Sequence, residues 1–489
     1  MKSSKGWVGM IGGVSLLVLG SFGLTVKTAY AAPDPSLVDG NPGDASLTVY
    51  PSGVSLNANG DCFDNSDTTD TDTVQYALFV VAPNGTVTLM SHQRGETDNT
   101  AFCLPGGLFI GQPLTLEGDG ETRTANVNSG GISETVTAPA TTLVDDGTVA
   151  TRFTSIFLGS PANIRNLSIE LGGGVFTTGL QSDDAVYIEG NFFLSRFSTF
   201  GSLNFGQNND YPLYIRNNYM VYEEDGVVLP AGNGVLMILA SFDPGPTSED
   251  TPGNVHPVYI QNNTFVGSTE TDFGFNIRIG NSGAGIDNVT FTNNNLKGTA
   301  GVSIELSPYT RNILVANNDL SGLTAHIPLS ISGANHIVTN NVTGHLRTQP
   351  GVLVPPAPMV LLNINWHPCF LPACLSESIK CDEAGYPGTP CWRTENNLFA
   401  GNDFRNSDPD VVPGWETCPD SGQPSGQGSI YAIEFEDFVA PSPFAVSGAG
   451  LRNNKIVVGG KFPKGADPEL QVCAVKADER NTKVVGVPN

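Results

Sequence analysis

The sequence predicts an all-β solenoid in which short parallel strands are stacked coil upon coil. An asparagine pair recurs along the chain, each time after a short apolar strand, and no helical segment separates the copies. Asn294 to Asn318 is 24 residues and Asn318 to Asn341 is 23. Repeats of about 20–50 residues are typical of solenoids, propellers and arrays. The repeat therefore sets the fold class before any other feature is considered.

The asparagine pair is expected to turn the chain at one corner of each coil. Asparagine tolerates the left-handed backbone region, and its amide can bond nearby backbone groups. In a stacked coil the same asparagine recurs roughly 4.8 Å higher, so the amides can bond one another in an internal ladder. The pairs are Asn217-Asn218, Asn262-Asn263, Asn293-Asn294, Asn317-Asn318, Asn340-Asn341 and Asn453-Asn454, with a degenerate copy at Gly190-Asn191.

A second strand is expected between successive corners. Its copies alternate apolar and polar residues, which is typical of a half-buried strand. Each coil therefore holds at least two parallel strands. The copies are 235–239, 275–279, 302–306, 327–331 and 360–364.

These corners resemble those of the right-handed parallel β-helix, or pectin-lyase-like, superfamily. Residues 76–89 also resemble the way its members open, with a helix-like segment, a Pro/Gly turn and then Thr86-Val87-Thr88-Leu89. Leu114-Thr115-Leu116-Glu117-Gly118 is similar to a motif that follows in that superfamily. The resemblance implies a single-stranded right-handed β-helix with an N-terminal cap, and a disulfide-rich loop insertion is expected on its wall. It implies no single activity, because this fold carries many functions.

The chain divides into four segments. Residues 1–31 are expected to be a secretory signal peptide, since Lys2 and Lys5 precede an apolar run that ends near a small-residue cleavage site. Residues 32–74 form an acidic lead-in, 75–475 the β-helix with a Cys-rich insertion at 365–428, and 476–489 a tail. No later stretch is long enough to cross a bilayer, so the protein is predicted to be secreted.

The charge of the chain restricts its partners. The formal net charge is −25, and removal of the three lysines of the signal peptide takes it to −28. Nucleic acid is disfavoured because binding it requires clustered Lys and Arg. No cofactor is required, but Ca²⁺ is a candidate ligand of the Asp run at 64, 67, 70 and 72. The alternative is that this run is a solvated loop.

Eight cysteines follow the signal peptide, and an even number in an exported chain favours disulfides. Cys62 and Cys103 are predicted to pair. The other six allow about 15 connectivities. A zinc site is the alternative, although the spacings match no Cys/His pattern. The six are Cys369, Cys374, Cys381, Cys391, Cys418 and Cys473.

Asp183 and Asp184 are the most enzyme-like residues. Gln181-Ser182-Asp183-Asp184 resembles the Asp pair of the polygalacturonases, which use carboxylates as general acid and base. An inverting reaction of that kind needs two carboxyl groups about 6.5–9.5 Å apart. The other motifs of those enzymes, and the arginine motif of the pectate lyases, have no counterpart here. The alternative is a polar corner before the strand at 186–188.

Further candidates lie on strands. Arg278 and Glu305 should be neighbours in adjacent coils, as a sugar-clamping arginine beside an acid/base carboxylate, with Asn276 also facing outward. The alternative is a cross-strand ion pair. Tyr187, Tyr214 and Tyr259 recur beside the corner strands and could stack on sugar faces, or only on one another. The scattered histidines, including His256, are expected to be surface or corner residues.

The sequence leaves two functions open. The first is a protein directed at an extracellular polysaccharide, by binding and, if it is an enzyme, by hydrolase or lyase cleavage. The second is a non-catalytic surface or matrix protein, such as an adhesin. Long loops interrupting the coils favour the first. Neither the oligomeric state nor a metal site can be read from the sequence.

Overall fold

A computed structural model describes most of the predicted coils. It covers residues 33–54, 62, 69–145, 155–195, 203–205, 209–222, 233–238, 256–268, 275–280, 286–306, 310–331, 333–347, 359–362, 396–403, 434–436, 455–457 and 483–485. Within these ranges no helix is long and apolar enough to cross a membrane.

The N-terminal region forms the cap and the first coils. Helix α1 packs against β2, β4 and β5, and the Gln75 side chain bonds both the N–H and the C=O of Phe109 at 2.7 Å. The elements are a 3₁₀ helix (Pro35–Leu37), β1 (Val38–Asp39), β2 (Ser46–Val49), α1 (Thr69–Val80), β3 (Thr86–Leu89), β4 (Phe102–Cys103), β5 (Leu108–Ile110), β6 (Leu114–Gly118), β7 (Thr122–Ser129), β8 (Ile132–Pro139) and β9 (Thr142–Val144).

The central region contains the coils that the asparagine pairs predict. Its strands are β10 (Ser155–Leu158), β11 (Ala162–Arg165), β12 (Ser168–Glu170), β13 (Gly174–Thr177), β14 (Val186–Glu189), β15 (Phe192–Ser195), β16 (Leu203–Phe205), β17 (Leu213–Arg216), β18 (Tyr219–Tyr222), β19 (Asn233–Ile238), β20 (Val258–Gln261), β21 (Thr264–Ser268), β22 (Phe275–Ile279), β23 (Val289–Thr292), β24 (Asn295–Leu306), β25 (Leu314–Ala316), β26 (Asp319–Ile331), β27 (Ile337–Thr339) and β28 (His345–Leu346).

The last described strands continue the same sheets. They are β29 (Met359–Leu362), β30 (Leu398–Ala400), β31 (Glu434–Glu436), β32 (Lys455–Val457) and β33 (Lys483–Val485). Strand β30 pairs with β27 although it lies inside the segment predicted as a Cys-rich insertion. A coil of the solenoid therefore passes through that segment.

The described strands form two long, almost entirely parallel sheets. One is 14-stranded and runs from β1 to β33; β2 already belongs to it, so the sheet extends into the segment assigned to the lead-in. The other is 17-stranded and contains two columns, one directly after the asparagine corner (β12, β15, β18, β21) and one further along each coil (β13, β16, β19, β22). The coils from β11 to β22 thus contribute three strands each, one more than the minimum that the sequence indicated, and in the next two coils β24 and β26 each run through both columns. The predicted all-β parallel β-helix with an N-terminal cap is confirmed.

Stacked apolar side chains fill the interior. Ile188, Ile215 and Ile260 occupy one register position of β14, β17 and β20 and are fully buried. Ile277, Ile304 and Leu329, predicted to point inward, are buried in the same way in the second sheet. Burial of one such side chain stabilises a fold by about 1.5–3 kcal/mol, so the column is a large part of what holds the coils together.

The asparagine corner forms the predicted ladder. The first residue of each described pair has a positive φ, for example 55° at Asn217 and 57° at Asn262, and Asn453-Asn454 lies outside the described residues. The second residue of each described pair is buried, and its amide bonds the equivalent asparagine one coil away. Asn218 Nδ2 donates to Asn263 Oδ1 at 3.0 Å and to the carbonyl of Ile188 at 2.8 Å. The asparagine ladder comprises Asn191, Asn218, Asn263, Asn294, Asn318, Asn341 and Asn402.

A β-hairpin lies outside the coils. Strands β7 and β8 pair in antiparallel fashion around Gly130 and Gly131 and pack on the outer side of the strands that follow the asparagine corner. Arg123 bonds Glu170 on β12 at 2.5 Å, and Glu134 bonds Lys297 on β24 at 2.8 Å. The hairpin therefore crosses the sheet from β12 to β24. Its apolar side chains cover Phe192, Val221 and Val266, which are buried.

Two predictions for the N-terminal region have different outcomes. The Cys62–Cys103 disulfide is confirmed, with Cα atoms 5.6 Å apart. Asp70 and Asp72 do not lie in a solvated loop; both are buried in α1, and Asp70 accepts hydrogen bonds from the backbone N–H groups of Ser52 and Cys103. Asp64, Asp67 and the other six cysteines lie outside the described residues.

Candidate functional site

Three stacked tyrosines form a column on the outer side of the 14-stranded sheet. Tyr187, Tyr214 and Tyr259 occupy equivalent positions of β14, β17 and β20, with ring centroids 4.7 and 5.2 Å apart and nearly parallel planes. Their side chains point outward because Val186, Ile188 and their equivalents point into the core. We call this outer side of β14, β17 and β20, with the turns that lead into them, the tyrosine face.

The tyrosine rings contact one another, and polar residues border the stack. Asn163 on β11 is in register with Tyr187, and Thr290 on β23 is in register with Tyr259. Within the stack the rings turn their faces to each other, as the cross-strand alternative predicted. A ligand could therefore contact the row of ring edges and hydroxyl groups. It could also contact the outer faces of the first and last rings.

A second row, two residues further along each strand, alternates in charge. Arg165 Nε lies 3.8 Å from Glu117, and Arg216 Nη1 lies 4.0 Å from Glu189. The Arg216 guanidinium also lies over the Tyr214 ring, 4.4 Å from its centroid. Both arginines are thus engaged with carboxylates of the neighbouring coil.

An imidazole lies between two carboxylates at the edge of the tyrosine face. His256 Nδ1 is 2.9 Å from Asp210 Oδ1, and its Nε2 is 3.2 Å from Asp183 Oδ1. Asp210 Oδ1 also accepts the backbone N–H of His256 at 3.0 Å, so this carboxylate fixes both the ring and the chain that carries it. The Asp183 side chain is fully exposed. Asp184 is exposed as well, and its N–H donates to Ser182 Oγ at 3.0 Å.

The coil register brings these residues together. Asp183, Asp210 and His256 lie in the turns that lead into β14, β17 and β20, and parallel pairing places those turns one above another. A bridge between Gln181 and Asp210 extends the pairing into the turns. The sequence analysis placed His256 among surface or corner residues and did not single out Asp210, since the two are 46 residues apart and only the stacking connects them. The available signal was that both immediately precede strands carrying a stacked tyrosine.

The remaining predicted residues lie on the other sheet. Arg278 on β22 and Glu305 on β24 are in register as expected, with Arg278 Nε 3.1 Å from Glu305 Oε2. Their side chains are 22% and 15% exposed. Burial raises the pKa of Glu305, and the charge of Arg278 offsets only part of that rise. Asn276 lies on β22. These three residues therefore belong to a different sheet from β14, the strand that follows Asp183 and Asp184.

The same sheet carries a second aromatic stack near the N-terminal end. Phe109, Phe157 and Phe176 occupy equivalent positions of β5, β10 and β13, with centroids 5.7 and 5.5 Å apart. This stack is thus an aromatic column comparable to the tyrosines in stacking but without hydroxyl groups.

Metal binding has little support in the described part of the chain. Among the described residues, no group of three or more His, Cys, Asp or Glu side chains is arranged to hold an ion. The buried Asp70, a calcium candidate, already accepts two backbone N–H groups. A role for Ca²⁺ stays a prediction.

Comparison with known proteins gives weak likenesses only. No protein-family profile matches the chain, and neither does a curated protein. Among solved structures, an iota-carrageenase of family GH82 from A. fortis is similar at 13% identity and a TM-score of 0.27, covering 89% of this chain and 91% of the other. A 1,3-α-1,4-β-D-galactose-4-sulfate-3,6-anhydro-D-galactose-2-sulfate 4 galactohydrolase is similar at 9% identity and a TM-score of 0.28, covering 89% and 95%. The strand pairing, rather than these likenesses, establishes the fold.

Proposed function

We propose that the protein is exported and binds an extracellular glycan along the tyrosine face. One observation carries the proposal: each stacked tyrosine follows Asp183, Asp210 or His256 by three or four residues. An aromatic column and a row of ionisable groups therefore run side by side over three coils.

The chemistry of this face suits a sugar chain. Tyrosine combines an apolar ring with a hydroxyl group that both donates and accepts hydrogen bonds, so it can meet the C–H and O–H groups of a sugar together. Asn163 and Thr290 continue the row with an amide and a hydroxyl group. Ligand sites commonly combine aromatic surface with a few convergent polar groups. A glycan lying along the axis of the β-helix would meet this pattern in each of these three coils.

A second candidate function is acid/base cleavage of the bound glycan. It is favoured by the way in which Asp210 holds the His256 ring with Nε2 directed at the exposed Asp183. A carboxylate that orients an imidazole is a recurrent acid/base arrangement. Asp183 and Asp184 keep their predicted roles in this proposal, and His256 joins them as the group that would exchange a proton with Asp183.

The binding proposal is tested by comparing two aromatic variants on a glycan array. Tyr259→Ala should lose at least about tenfold in affinity for the glycans that the unmodified protein binds, because it removes the last ring of the column. Phe157→Ala is the matched control, since it breaks an equivalent stack on the other sheet. Unchanged binding by Tyr259→Ala, or an equal loss in both variants, would contradict the proposal.

The cleavage proposal needs a separate measurement on the same glycans. Release of new reducing ends should be abolished in His256→Asn and in Asp183→Asn, while both variants still bind. Asp183 is fully exposed, so its substitution should leave the fold intact. An unmodified protein that binds a glycan without cleaving it would reject this second function and leave the first in place.

A further inference from the structure

We infer that the glycan bound by the tyrosine face carries no sulfate or carboxylate groups. This inference rests on the proposed function and names the chemical class of its ligand. It follows from the distribution of charge over the face and from the neutral groups at the two ends of the stack.

Carboxylates outnumber cationic groups on the face. The arginines of the second row are Arg165 and Arg216, and each lies within about 4 Å of a glutamate in the neighbouring coil. A carboxylate at this distance offsets part of the charge with which a guanidinium group would attract an anion. The acidic residues of the face are Glu189, Asp183, Asp184 and Asp210, its basic residues are Arg216 and His256, and Glu117 and Arg165 continue the second row on β6 and β11.

The exposed position of Asp183 makes this charge relevant to a ligand. Its side chain is fully exposed beside the tyrosine column, and Asp184 is exposed next to it. A sulfate or uronate group passing along the column would meet these carboxylates, and the basic groups described beside them, Arg216 and His256, already lie next to Glu189, Asp183 and Asp210. The formal net charge of −25 adds repulsion at longer range, which salt screens over about 8 Å at physiological ionic strength.

Uncharged groups border the stack instead. Asn163 donates through Nδ2 to Thr115 Oγ1 at 3.1 Å, and Gln261 donates through Nε2 to Thr292 Oγ1 at 3.2 Å. Amide and hydroxyl groups of this kind retain further donor and acceptor positions. They match sugar hydroxyl groups and supply no charge with which to neutralise an anion.

The first test is the class of glycan selected from a printed array of neutral, amino-sugar, uronate-containing and sulfated oligosaccharides. Binding should be found among the neutral or amino-sugar members and be lost in Tyr259→Ala. Selection of sulfated or uronate-containing members, with or without added Ca²⁺, would overturn the inference while the proposed function stands. If no member binds, or if Tyr259→Ala binds all of them unchanged, the proposed function itself fails.

The second test reverses the charge balance. Glu189→Gln removes the carboxylate in register with both Arg165 and Arg216. The ratio of affinity for a sulfated oligosaccharide to that for its unsulfated parent should rise about fivefold at low salt, the factor for one like-charge contact near 4 Å in water. Glu96→Gln, an exposed position in the connection between β3 and β4, changes the net charge equally and should leave the ratio unchanged. An unchanged ratio in Glu189→Gln, or an equal rise in both variants, would overturn the inference.

Discussion

Replacement of Asn263 by alanine should destabilise the protein by about 4 kcal/mol. Its side chain is buried and makes four hydrogen bonds. Oδ1 accepts from the backbone N–H and Nδ2 of Asn218, both at 3.0 Å, and Nδ2 donates to the carbonyl of Ile215 at 2.9 Å and to Asn294 Oδ1 at 3.1 Å. At about 1 kcal/mol for each buried bond the loss is about 4 kcal/mol, and the partners left without a bond add to it.

The neighbouring asparagine provides the matched control. Asn262 is exposed and has a φ of 57°, so Asn262→Gly keeps the corner conformation without steric cost. It should change the free energy of unfolding by less than about 1 kcal/mol. The control therefore distinguishes the stability contributed by the ladder hydrogen bonds from that contributed by the turn conformation.

Urea unfolding followed by circular dichroism measures both variants, and hydrogen exchange locates the effect. The amide of Asn218 donates to Asn263 Oδ1, so it should exchange faster in Asn263→Ala than in Asn262→Gly. Equal unfolding free energies for the two variants, or unchanged protection of the Asn218 amide, would refute the role assigned to the ladder.

Two further predictions concern the hairpin β7–β8. A Cβ on Gly130 would lie 2.0 Å from the carbonyl oxygen of Gly267, whereas one on Gly131 meets nothing within 4 Å. Gly130→Ala should therefore lower the free energy of unfolding by about 1–3 kcal/mol more than Gly131→Ala, and equal effects in urea unfolding would show that the tip is not docked. Burial by itself raises the pKa of Glu134, but the bonds from Lys297 and Tyr219 outweigh it and hold that pKa below its usual value. The stability contributed by ionised Glu134 is thus present at neutral pH and lost as the pH falls through its lowered pKa. The stability difference between unmodified protein and Glu134→Gln should shrink on acidification in pH-dependent unfolding, and a constant difference would contradict this.

The asparagine corners could be predicted from the sequence because their chemistry is local. The left-handed turn is predicted from a single residue, such as Asn217 or Asn262. The hydrogen bond of the ladder requires only that Asn218 stack on the equivalent asparagine of the next coil, Asn263. The strand at 275–279 could be predicted equally well, because apolar and polar residues alternate along it. The same alternation predicted the register of Arg278 with Glu305.

The strands directly after the corner could not be recognised in this way. Phe192-Phe193-Leu194-Ser195 and the strand at 219–222 do not alternate, because Phe192 and Val221 on the outer side are also buried. The hairpin covers them, and so both faces of these strands are apolar. The hairpin itself had a signal, Gly130-Gly131 between two alternating strands, which is typical of a two-residue turn.

The candidate site was predicted in part. The tyrosine column follows from the repeat, and so does its position on the outer side of the strands. The pairing of His256 with Asp183 and Asp210 does not follow from the repeat. The long connections between these coils differ in length, so the sequence does not indicate which turn residues become neighbours. Only the observed register brings residues 183, 210 and 256 to one edge.

The hairpin also changes how this solenoid should come apart. In a simple repeat protein each coil touches only its neighbours, so the ends can fray one unit at a time. Here Arg123 bonds Glu170 near one end of the crossing and Glu134 bonds Lys297 near the other. Unfolding of any single coil between these two contacts would disrupt the packing of the hairpin and so expose the apolar side chains that it covers on the other coils. The coils from β12 to β24 are thereby joined into one cooperative block, and the tyrosine face lies on that block.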